Sequence, residues 1–383
     1  VALCAGSTAA PTVFSLVNTE IKGVVVGQFD NQTKQARWDW ATKWSLPAGE
    51  TTGLLVPGLF GYRMDTPDGG CYWGQVGEDP AVERYLANGR QGDPPHGFLR
   101  YSGGGFYTGV LVVLLACWAM GESLRRRFSV FNPAQRLWLW FWLGVVVVSS
   151  PLAFGRFAPF YRLAYALPYF STIRNPVKFM TFACFALVVM FAYGVDGLWR
   201  KYMLPPASGI VPWRAGFRGW WRNAGPNERK WLRSFGLVLG FSLMAWLMYA
   251  ADRQKLVDHL IDVQFTAADA EQITAFSILQ VGWFVLFFVL SAGLLFAIFG
   301  GAFTGAKARW GGLLLGVLLV ADLGRANLPW IVCWHYPETY ASNPVLDRLR
   351  DQPYEHRVGH FYDTRPDSDS LTGMFNDVWL QQL

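Results

Sequence analysis

Charged residues are scarce in this sequence of 383 residues. They make up 16% of the chain, and apolar residues make up 52% before glycine is counted. Soluble domains contain about 25% charged residues, so the composition argues against a soluble protein. It also excludes a disordered chain and a collagen, because neither carries so many large apolar side chains.

Cysteine is scarce as well. The five cysteines form no C-x-x-C pair, which excludes a disulfide-rich scaffold and a zinc knuckle. The sequence also lacks a Walker loop and an H-E-x-x-H motif, so ATP-driven transport and zinc proteolysis have no support. His356 and His360 share one face, and a metal site there would need His335 or Asp363 as a third ligand. We predict no metal site and no cofactor.

The basic excess, with 33 Lys and Arg against 27 Asp and Glu, is typical of nucleic-acid binding until the charges are placed. The basic residues flank apolar runs, which is a membrane pattern. Residues 200–233 alternate tryptophans with arginines, and beside a membrane this favours an interfacial segment on anionic lipid over RNA binding. We therefore predict membrane lipids as partners and no nucleic acid.

Six stretches are apolar and approach the length of about 20 residues that crosses a bilayer. They are residues 104–121, 137–154, 179–199, 234–250, 278–300 and 310–330. We therefore predict an all-α polytopic membrane protein whose six-span membrane domain covers residues 104–330.

The loops between these stretches differ in charge. Segments 122–136, 200–233 and 301–309 are rich in arginine and lysine, and their only acidic residues are Glu122 and Glu228. The positive-inside rule places these three loops in the cytoplasm. The alternate loops and both flanks of the membrane domain are then extracytoplasmic.

Three segments lie outside the membrane domain. Residues 18–103 are rich in Gly, Pro and Trp, which indicates a folded extracytoplasmic loop region of turns and short helices. Residues 331–383 are expected to form an extracytoplasmic tail, the start of a domain with one short helix and one strand. Residues 1–17 have the composition of the end of a truncated membrane helix, so we expect the chain to be a piece of a longer one.

Residues 154–178 carry the clearest functional pattern. An aromatic-rich amphipathic helix at 156–167 is too short to span a bilayer and is expected to lie in the outer interface. Arg162, Arg174 and Lys178 are three cations on the outer side, where few are expected. They suit the phosphate of a lipid-linked substrate, which arginine binds with two parallel donors. The alternative is that they reach ordinary phospholipid headgroups.

The last predicted span contains an acidic residue. Asp322 and Arg325 are three residues apart, so they can pair on one helix face. With Trp310 at the inner edge, a rise of about 1.5 Å per residue places Asp322 in the outer half of the bilayer. An acid inside a membrane indicates function, and the alternative is a structural pair that fixes this helix against its neighbours.

Several segments follow one another in a distinctive order. They are WSLPAGETTGLLVPGLFG (44–61), GGGFYTGVLVVLLA (103–116), LPYFSTIRNPVKFM (167–180), GVDGL (194–198), LLLGVLLVADLGRANLP (313–329) and NPVLDRLRDQPYEHRV (343–358). In this order, and with the R-x-P-x-K-F element at 174–179, they resemble the YfhO-type bacterial multi-spanning membrane proteins of the GT-C glycosyltransferase superfamily. The resemblance covers most of the chain.

The resemblance implies sugar transfer from a polyprenyl-phosphate donor to an acceptor on the extracytoplasmic face of the bacterial cytoplasmic membrane. In that superfamily the base is an acidic residue of the first outer loop, which would precede Val1, so the catalytic residues of this chain stay unknown. Arg174 and Lys178 match the basic element of the family and are candidates for binding the lipid phosphate.

Two other interpretations stay open. In the first, the chain is a non-catalytic integral membrane subunit that scaffolds a larger complex with other membrane subunits. In the second, it is a transporter or flippase for a lipid-linked sugar. Transfer predicts loss of activity when Arg174 becomes alanine, whereas a scaffold would tolerate that change.

Overall fold

The computed structural model describes residues 31–62, 72–77, 106–125, 129–167, 173–205, 224–262 and 265–328, together with a few single positions. The chain divides into two units, Val1–Ile331 and Val332–Leu383, and the second lies almost wholly outside the described residues. Residues 1–17, predicted as the end of a membrane helix, and the predicted helix and strand of the tail lie outside the described residues.

The described residues are helical and contain no strand. In chain order the helices are α1 Asn31–Thr42, α2 Val110–Ser123, α3 Pro133–Ala153, α4 Tyr161–Tyr165, α5 Phe179–Leu198, α6 Pro226–Ala251, α7 Arg253–Asp262, α8 Ala267–Phe299 and α9 Ala308–Asn327. Short 3₁₀ helices cover Ala48–Leu54, Gly155–Phe157, Pro176–Lys178 and Gly305–Lys307, and a π-helical turn at Trp199–Met203 follows α5.

Local sequence explains where several of these helices begin. At α3, the Asn132 side chain accepts from the Gln135 N–H and the Gln135 side chain accepts from the Asn132 N–H, with Pro133 at the first helical position. This reciprocal capping satisfies backbone donors that a helix start leaves unpaired. At α8, the Thr266 hydroxyl accepts from the N–H of Asp269.

Four segments of the described chain are long and apolar enough to cross a membrane: Pro133–Ala153, Pro176–Met203, Pro226–Ala251 and Ala267–Phe299. The other two predicted spans also coincide with helices. However, α2 has only 14 residues, and α9 carries charged side chains among its 20 residues. The described part of the chain therefore has the all-helical, apolar character of a membrane protein.

The connection between the predicted spans 234–250 and 278–300 is mostly helical, because α7 follows α6 directly and α8 starts already at Ala267. One prediction about the outer segments needs correction. The predicted interfacial helix 156–167 is interrupted. Ala158 precedes Pro159 and is extended, with φ −111° and ψ 118°, since a residue before proline avoids the α conformation. Only the five-residue α4 remains.

Contacts between helix ends define two ends of the bundle. Tyr107, before α2, contacts Asp322 near the end of α9, and Arg200, after α5, contacts Gln135 at the start of α3. At the first end, α2, α5 and α8 begin and α3, α6 and α9 finish. At the second end, α2, α5 and α8 finish and α3, α6 and α9 begin. Trp118 of α2 is fully buried towards the second end, where it lies against Phe131, Tyr202 and Phe299.

A glycine allows two helices of the core to approach closely. A Cβ on Gly194 of α5 would lie 2.7 Å from the backbone oxygen of Leu115 in α2, well inside van der Waals contact. Small residues allow membrane helices to approach in this way, since lipid offers little hydrophobic drive for association.

Candidate functional site at the first end of the bundle

The three predicted phosphate-binding cations lie on a segment that is hydrogen-bonded to the end of α1 and to the residues just after it. Three backbone hydrogen bonds make the connection: Leu46 N–H to Ala153 O (2.9 Å), Asn175 N–H to Ala41 O (3.0 Å) and Val177 N–H to Trp44 O (2.9 Å). The side chain of Ser45 adds a fourth bond by accepting from the Arg156 N–H at 3.0 Å. Residues 41–46 thus hold the turn from which Arg174 and Lys178 project.

Two of these cations lie over tryptophan rings of α1. The guanidinium of Arg162 is 5.6 Å from the ring centre of Trp38, and that of Arg174 is 4.2 Å from the ring centre of Trp40. Such cation–π contacts restrain a long side chain without neutralising its charge. We call Arg162, Arg174, Lys178, Trp38 and Trp40 the basic surface.

The three cations of the basic surface are open to solvent. Arg162, Arg174 and Lys178 are all exposed, and none of them forms an ion pair with a described residue. Charged donors that are exposed and lack a carboxylate partner are suited to binding an anion.

The turn that carries Arg174 has an unusual backbone. Asn175 has a positive φ of 65°, and it is the only non-glycine residue of the described chain that does. Asparagine tolerates this left-handed conformation better than most residues, and Pro176 follows with its fixed φ. The direction of the chain between Arg174 and Lys178 is therefore restricted locally.

The aromatic residues of α4 face the protein as well as the surface. Tyr161 is fully buried, and its ring packs against Trp38 with centroids 6.1 Å apart. Burial raises the pKa of Tyr161 to about 12, because the phenolate would lose its hydration. Tyr161 therefore stays neutral at physiological pH and anchors α4 beneath α1.

A shallow pocket that is open to solvent lies at the same end of the bundle. Its walls come from the loop after the first 3₁₀ helix, from the start of α2 and from the end of α9. The residues that line it are Glu50, Gly53, Val56, Pro57, Gly58, Leu59, Phe60, Gly61, Tyr62, Tyr72, Phe106, Tyr107, Ala326 and Asn327.

Glu50 is the charged residue of the pocket wall and is only 4% exposed. Its Oε2 accepts a hydrogen bond from the Tyr72 hydroxyl at 2.7 Å, and its Oε1 accepts from the Gln75 N–H at 2.8 Å. The Tyr72 oxygen in turn accepts from the Val76 N–H at 2.9 Å. These bonds compensate for the desolvation of the carboxylate.

Asp322 lies behind another tyrosine of the pocket. Its Oδ1 accepts from the Tyr107 hydroxyl at 2.5 Å, and its Oδ2 accepts from the Val110 N–H at 3.0 Å. Arg325 instead donates to Gln280 Oε1 at 2.6 Å. Asp322 and Arg325 therefore do not form the predicted pair, and no ion pair joins them within the described part of the chain.

The structure does not place the predicted cations in this pocket. Arg162, Arg174 and Lys178 are absent from its lining, and Glu50 and Tyr107 were not among the predicted site residues. One sequence signal for Glu50 existed: it is the only acidic residue between Asp39 and position 65, in a stretch otherwise rich in Gly, Pro and apolar residues.

A buried ionic cluster lies at the second end. Glu122 of α2 is fully buried, and its Oε1 accepts from Lys201 Nζ (2.9 Å), Arg125 Nη1 (3.1 Å) and Asn227 Nδ2 (2.7 Å). Lys201 also lies 3.5 Å from Glu228. Glu122 and Glu228 are the two acids that the sequence places in basic loops, and here they join the ends of α2 and the π-helical turn to the start of α6.

Within the described residues, no three His, Cys, Asp or Glu side chains are arranged to hold a metal ion. His356, His360 and Asp363 lie outside those residues, so the metal site weighed for them is not tested.

No family model matches the sequence, and neither a curated protein nor a solved structure matches it. The resemblance to YfhO-type proteins therefore rests on the sequence segments alone.

Proposed function

We propose that this chain is an integral membrane protein of the GT-C type that binds a polyprenyl-phosphate sugar at the basic surface and takes part in transfer of the sugar to an acceptor. The proposal combines the sequence resemblance with the chemistry of the basic surface. It places the reaction on the extracytoplasmic face of the bacterial cytoplasmic membrane.

The observation that carries the proposal is the exposure of three cations: Arg162 over Trp38, Arg174 over Trp40, and Lys178 four residues after Arg174. Two arginines restrained on tryptophan rings present their donors with less loss of conformational freedom than free side chains. Apolar residues of the same segment are also exposed, including Leu163 at 75% and Leu167 at 56%. A lipid that carries a phosphate has both features that this surface complements.

Charge supports the orientation. The links between helices at the second end contain Arg125, Arg200, Lys201 and Lys307, and the positive-inside rule assigns such links to the cytoplasm. The first end, with the basic surface and the pocket, would then be extracytoplasmic.

The chemistry requires stabilisation of a leaving group. When the acceptor oxygen attacks the anomeric carbon, the bond from that carbon to the phosphate oxygen breaks and negative charge grows on the lipid phosphate. Cations already positioned at the phosphate stabilise this charge in the transition state. In this proposal Arg174 and Lys178 have that role, and the base that takes the acceptor proton is not assigned.

The test measures binding of a polyprenyl-phosphate hexose to the purified protein in nanodiscs of phosphatidylcholine. Arg174→Ala is expected to weaken binding about tenfold, since a charge-assisted hydrogen bond contributes about 1.5–3 kcal/mol. Arg309→Ala is the matched control, because Arg309 also lies over a tryptophan, 5.6 Å from the ring centre of Trp310, but at the second end. Equal binding by the two variants would refute the proposal, and so would equally tight binding of phosphatidylglycerol.

A scaffold role is the second candidate, and one observation favours it. Only 6% of the apolar window of α6 is buried, so most of this long helix is open to lipid or to other membrane helices. If α6 contacts other subunits, intact protein extracted in mild detergent would co-purify with them in fixed stoichiometry, and Arg174→Ala would leave the activity of that complex unchanged.

A further inference from the structure

We propose that a water molecule is bound in a closed site at the second end of the bundle, where it accepts a hydrogen bond from the indole N–H of Trp118 and donates one to Oε2 of Glu122. Four observations support it: two buried polar atoms lack partners, they lie on one face of one helix, the charges around them balance, and buried side chains surround them. The site lies at the opposite end from the basic surface and is independent of the proposed function.

Two buried atoms of α2 have opposite hydrogen-bonding requirements. Trp118 and Glu122 are both fully buried. The indole Nε1 of Trp118, which is a donor, and Oε2 of Glu122, which is an acceptor, have no hydrogen-bond partner within the described part of the chain. Proteins rarely leave such atoms unpaired, because the hydration lost on burial is then not replaced. One ligand that both accepts and donates a hydrogen bond would satisfy both atoms.

The two side chains lie on the same face of α2. They are four residues apart, so they are neighbours one turn apart on the helix surface. Lys201 provides a second measure of their proximity, because its Nζ is 2.9 Å from Oε1 of Glu122 and 6.0 Å from the ring centre of Trp118. The carboxylate and the indole therefore border the same cation, and one small molecule can reach both.

The charges around the site favour a neutral ligand. Glu122 accepts from Lys201 and Arg125, and Lys201 also lies 3.5 Å from Glu228. Two carboxylates thus face two cations. A further cation at Oε2 of Glu122 would lie beside Lys201 and Arg125, and an anion there would meet the carboxylate itself. A neutral molecule avoids both kinds of repulsion.

Buried side chains separate the site from solvent. The ring of Trp118 packs against three buried aromatic residues, Phe131, Tyr202 and Phe299. Next to Glu122, a Cβ on Gly121 would lie 2.8 Å from the ring of Trp231 in α6, so this helix covers the same turn of α2. A sugar or a nucleotide has no way into such an enclosure. Water is the ligand that proteins commonly bury among a few polar partners.

The packing of α2 against α5 fixes the geometry of the site. Gly194 of α5 lies against the backbone of Leu115 in α2. Seven residues further along each helix, which is about two turns, Lys201 reaches Glu122. Lys201 belongs to the π-helical turn Trp199–Met203, and π-helical turns occur frequently at functional sites. The donor and the acceptor are therefore held in place by protein contacts, which suits one ordered water.

Proton-detected solid-state NMR on the whole protein in phosphatidylcholine vesicles tests the site, with isotope labels in the tryptophan indoles. The signal of Trp118 is identified as the one that disappears in Trp118→Phe. We expect its indole proton to have the frequency of a hydrogen-bonded N–H and to receive magnetisation from water. Both effects are required, because the first reports a partner and the second identifies it as water.

Trp246 is the matched control within the same protein. Its Nε1 donates to the carbonyl oxygen of Ile278 at 3.0 Å, so its indole proton should have a hydrogen-bonded frequency and receive no magnetisation from water. If Trp118 behaves like Trp246, its partner is a protein group and the proposal is wrong. A frequency typical of an indole without a hydrogen bond would also overturn it.

A pair of variants tests whether Glu122 is the acceptor. Glu122→Gln is expected to shift the indole proton frequency of Trp118, because the bridging water then contacts an amide in place of a carboxylate. Glu228→Gln is the control, since it also removes a carboxylate beside Lys201 but leaves Oε2 of Glu122 intact. Equal shifts of the Trp118 signal in the two variants would contradict the bridge.

A cryo-EM map of the parent protein, at a resolution that shows ordered water, provides a test that needs no variant and so does not depend on the folding of Glu122→Gln. We expect density for one water at about 2.7–3.2 Å from both Trp118 Nε1 and Glu122 Oε2, the usual hydrogen-bonding distance. A direct contact between the two side chains, or two atoms too far apart for one water to bridge, would overturn the proposal.

Discussion

The carboxylate of Asp322, near the end of α9, accepts a hydrogen bond from the backbone N–H of Val110, the first residue of α2. The first N–H groups of a helix lack partners within the helix, and a negative charge there also interacts favourably with the helix dipole. The same carboxylate holds the Tyr107 hydroxyl. One side chain thus joins the start of α2 to the last described helix.

Replacing Asp322 with alanine should destabilise the protein by about 2–4 kcal/mol, because two polar groups lose their partner in a buried site. Asp322→Asn keeps an acceptor oxygen and should cost less. The measurement is thermal unfolding in detergent followed by circular dichroism. Asp258→Ala is the control, since Asp258 is exposed on α7 and accepts from Gln254 in the same helix. If Asp322→Ala unfolds at the temperature of Asp258→Ala, the capping role is wrong.

The buried cluster at the second end should be more sensitive than a surface ion pair. Glu122→Gln leaves Lys201 and Arg125 without their buried carboxylate, and breaking such a pair costs about 3–5 kcal/mol. The exposed pair between Asp196 and Arg200 is the internal comparison, since exposed pairs contribute at most about 1 kcal/mol. We expect Glu122→Gln to lower the unfolding temperature several-fold more than Asp196→Asn.

A double substitution distinguishes an uncompensated charge from a general packing defect in this cluster. Lys201→Met in the Glu122→Gln background should recover part of the stability, because it removes one of the two cations that lose the Glu122 carboxylate, although Lys201 still has Glu228 at 3.5 Å. If the loss of stability in the double variant equals the sum of the losses in the two single variants, this explanation is wrong.

The contact between α2 and α5 predicts a strong position dependence among glycines. Gly194→Ala forces a Cβ to within 2.7 Å of a backbone oxygen, so the two helices must separate and we expect a loss of about 1–3 kcal/mol. Gly144→Ala in α3 has open space around its Cβ and should be neutral or slightly stabilising, since alanine favours helix. Thermal unfolding of both variants measures the difference, and equal stabilities would refute the close packing.

Local pattern was sufficient to locate the long helices. A helix occurs at each of the six apolar stretches, because the information lies in the length and continuity of the stretch. The residues at which the helices begin and end were less predictable. The apolar stretches end at 250 and begin again at 278, but a helix leaving an apolar stretch can continue with a polar surface, as α7 and the start of α8 do.

The contacts of the site were less accessible from sequence. The spacing of Asp322 and Arg325 shows that they can meet, but it says nothing about competitors from other helices. Tyr107 and Val110, more than two hundred positions away in the chain, donate hydrogen bonds to the carboxylate of Asp322. Arg325 donates instead to Gln280 of α8. Such pairings depend on the packing of the bundle, which no periodicity reveals.

Stacking on Trp40 should contribute to phosphate binding, because it fixes the position of Arg174. Trp40 is 55% exposed, and among the described residues its contact with Arg174 is the shortest cation–π contact, at 4.2 Å. Trp40→Ala is expected to weaken binding of polyprenyl phosphate two- to fivefold, because an exposed cation–π pair contributes about 0.5–1 kcal/mol. Trp40→Phe retains an aromatic face and should restore most of the affinity, which a purely structural role of the indole would not explain. Trp138→Ala removes a similarly exposed tryptophan from α3 and should leave binding unchanged. If Trp40→Phe binds as weakly as Trp40→Ala, the contribution of Trp40 does not come from its aromatic contact with Arg174.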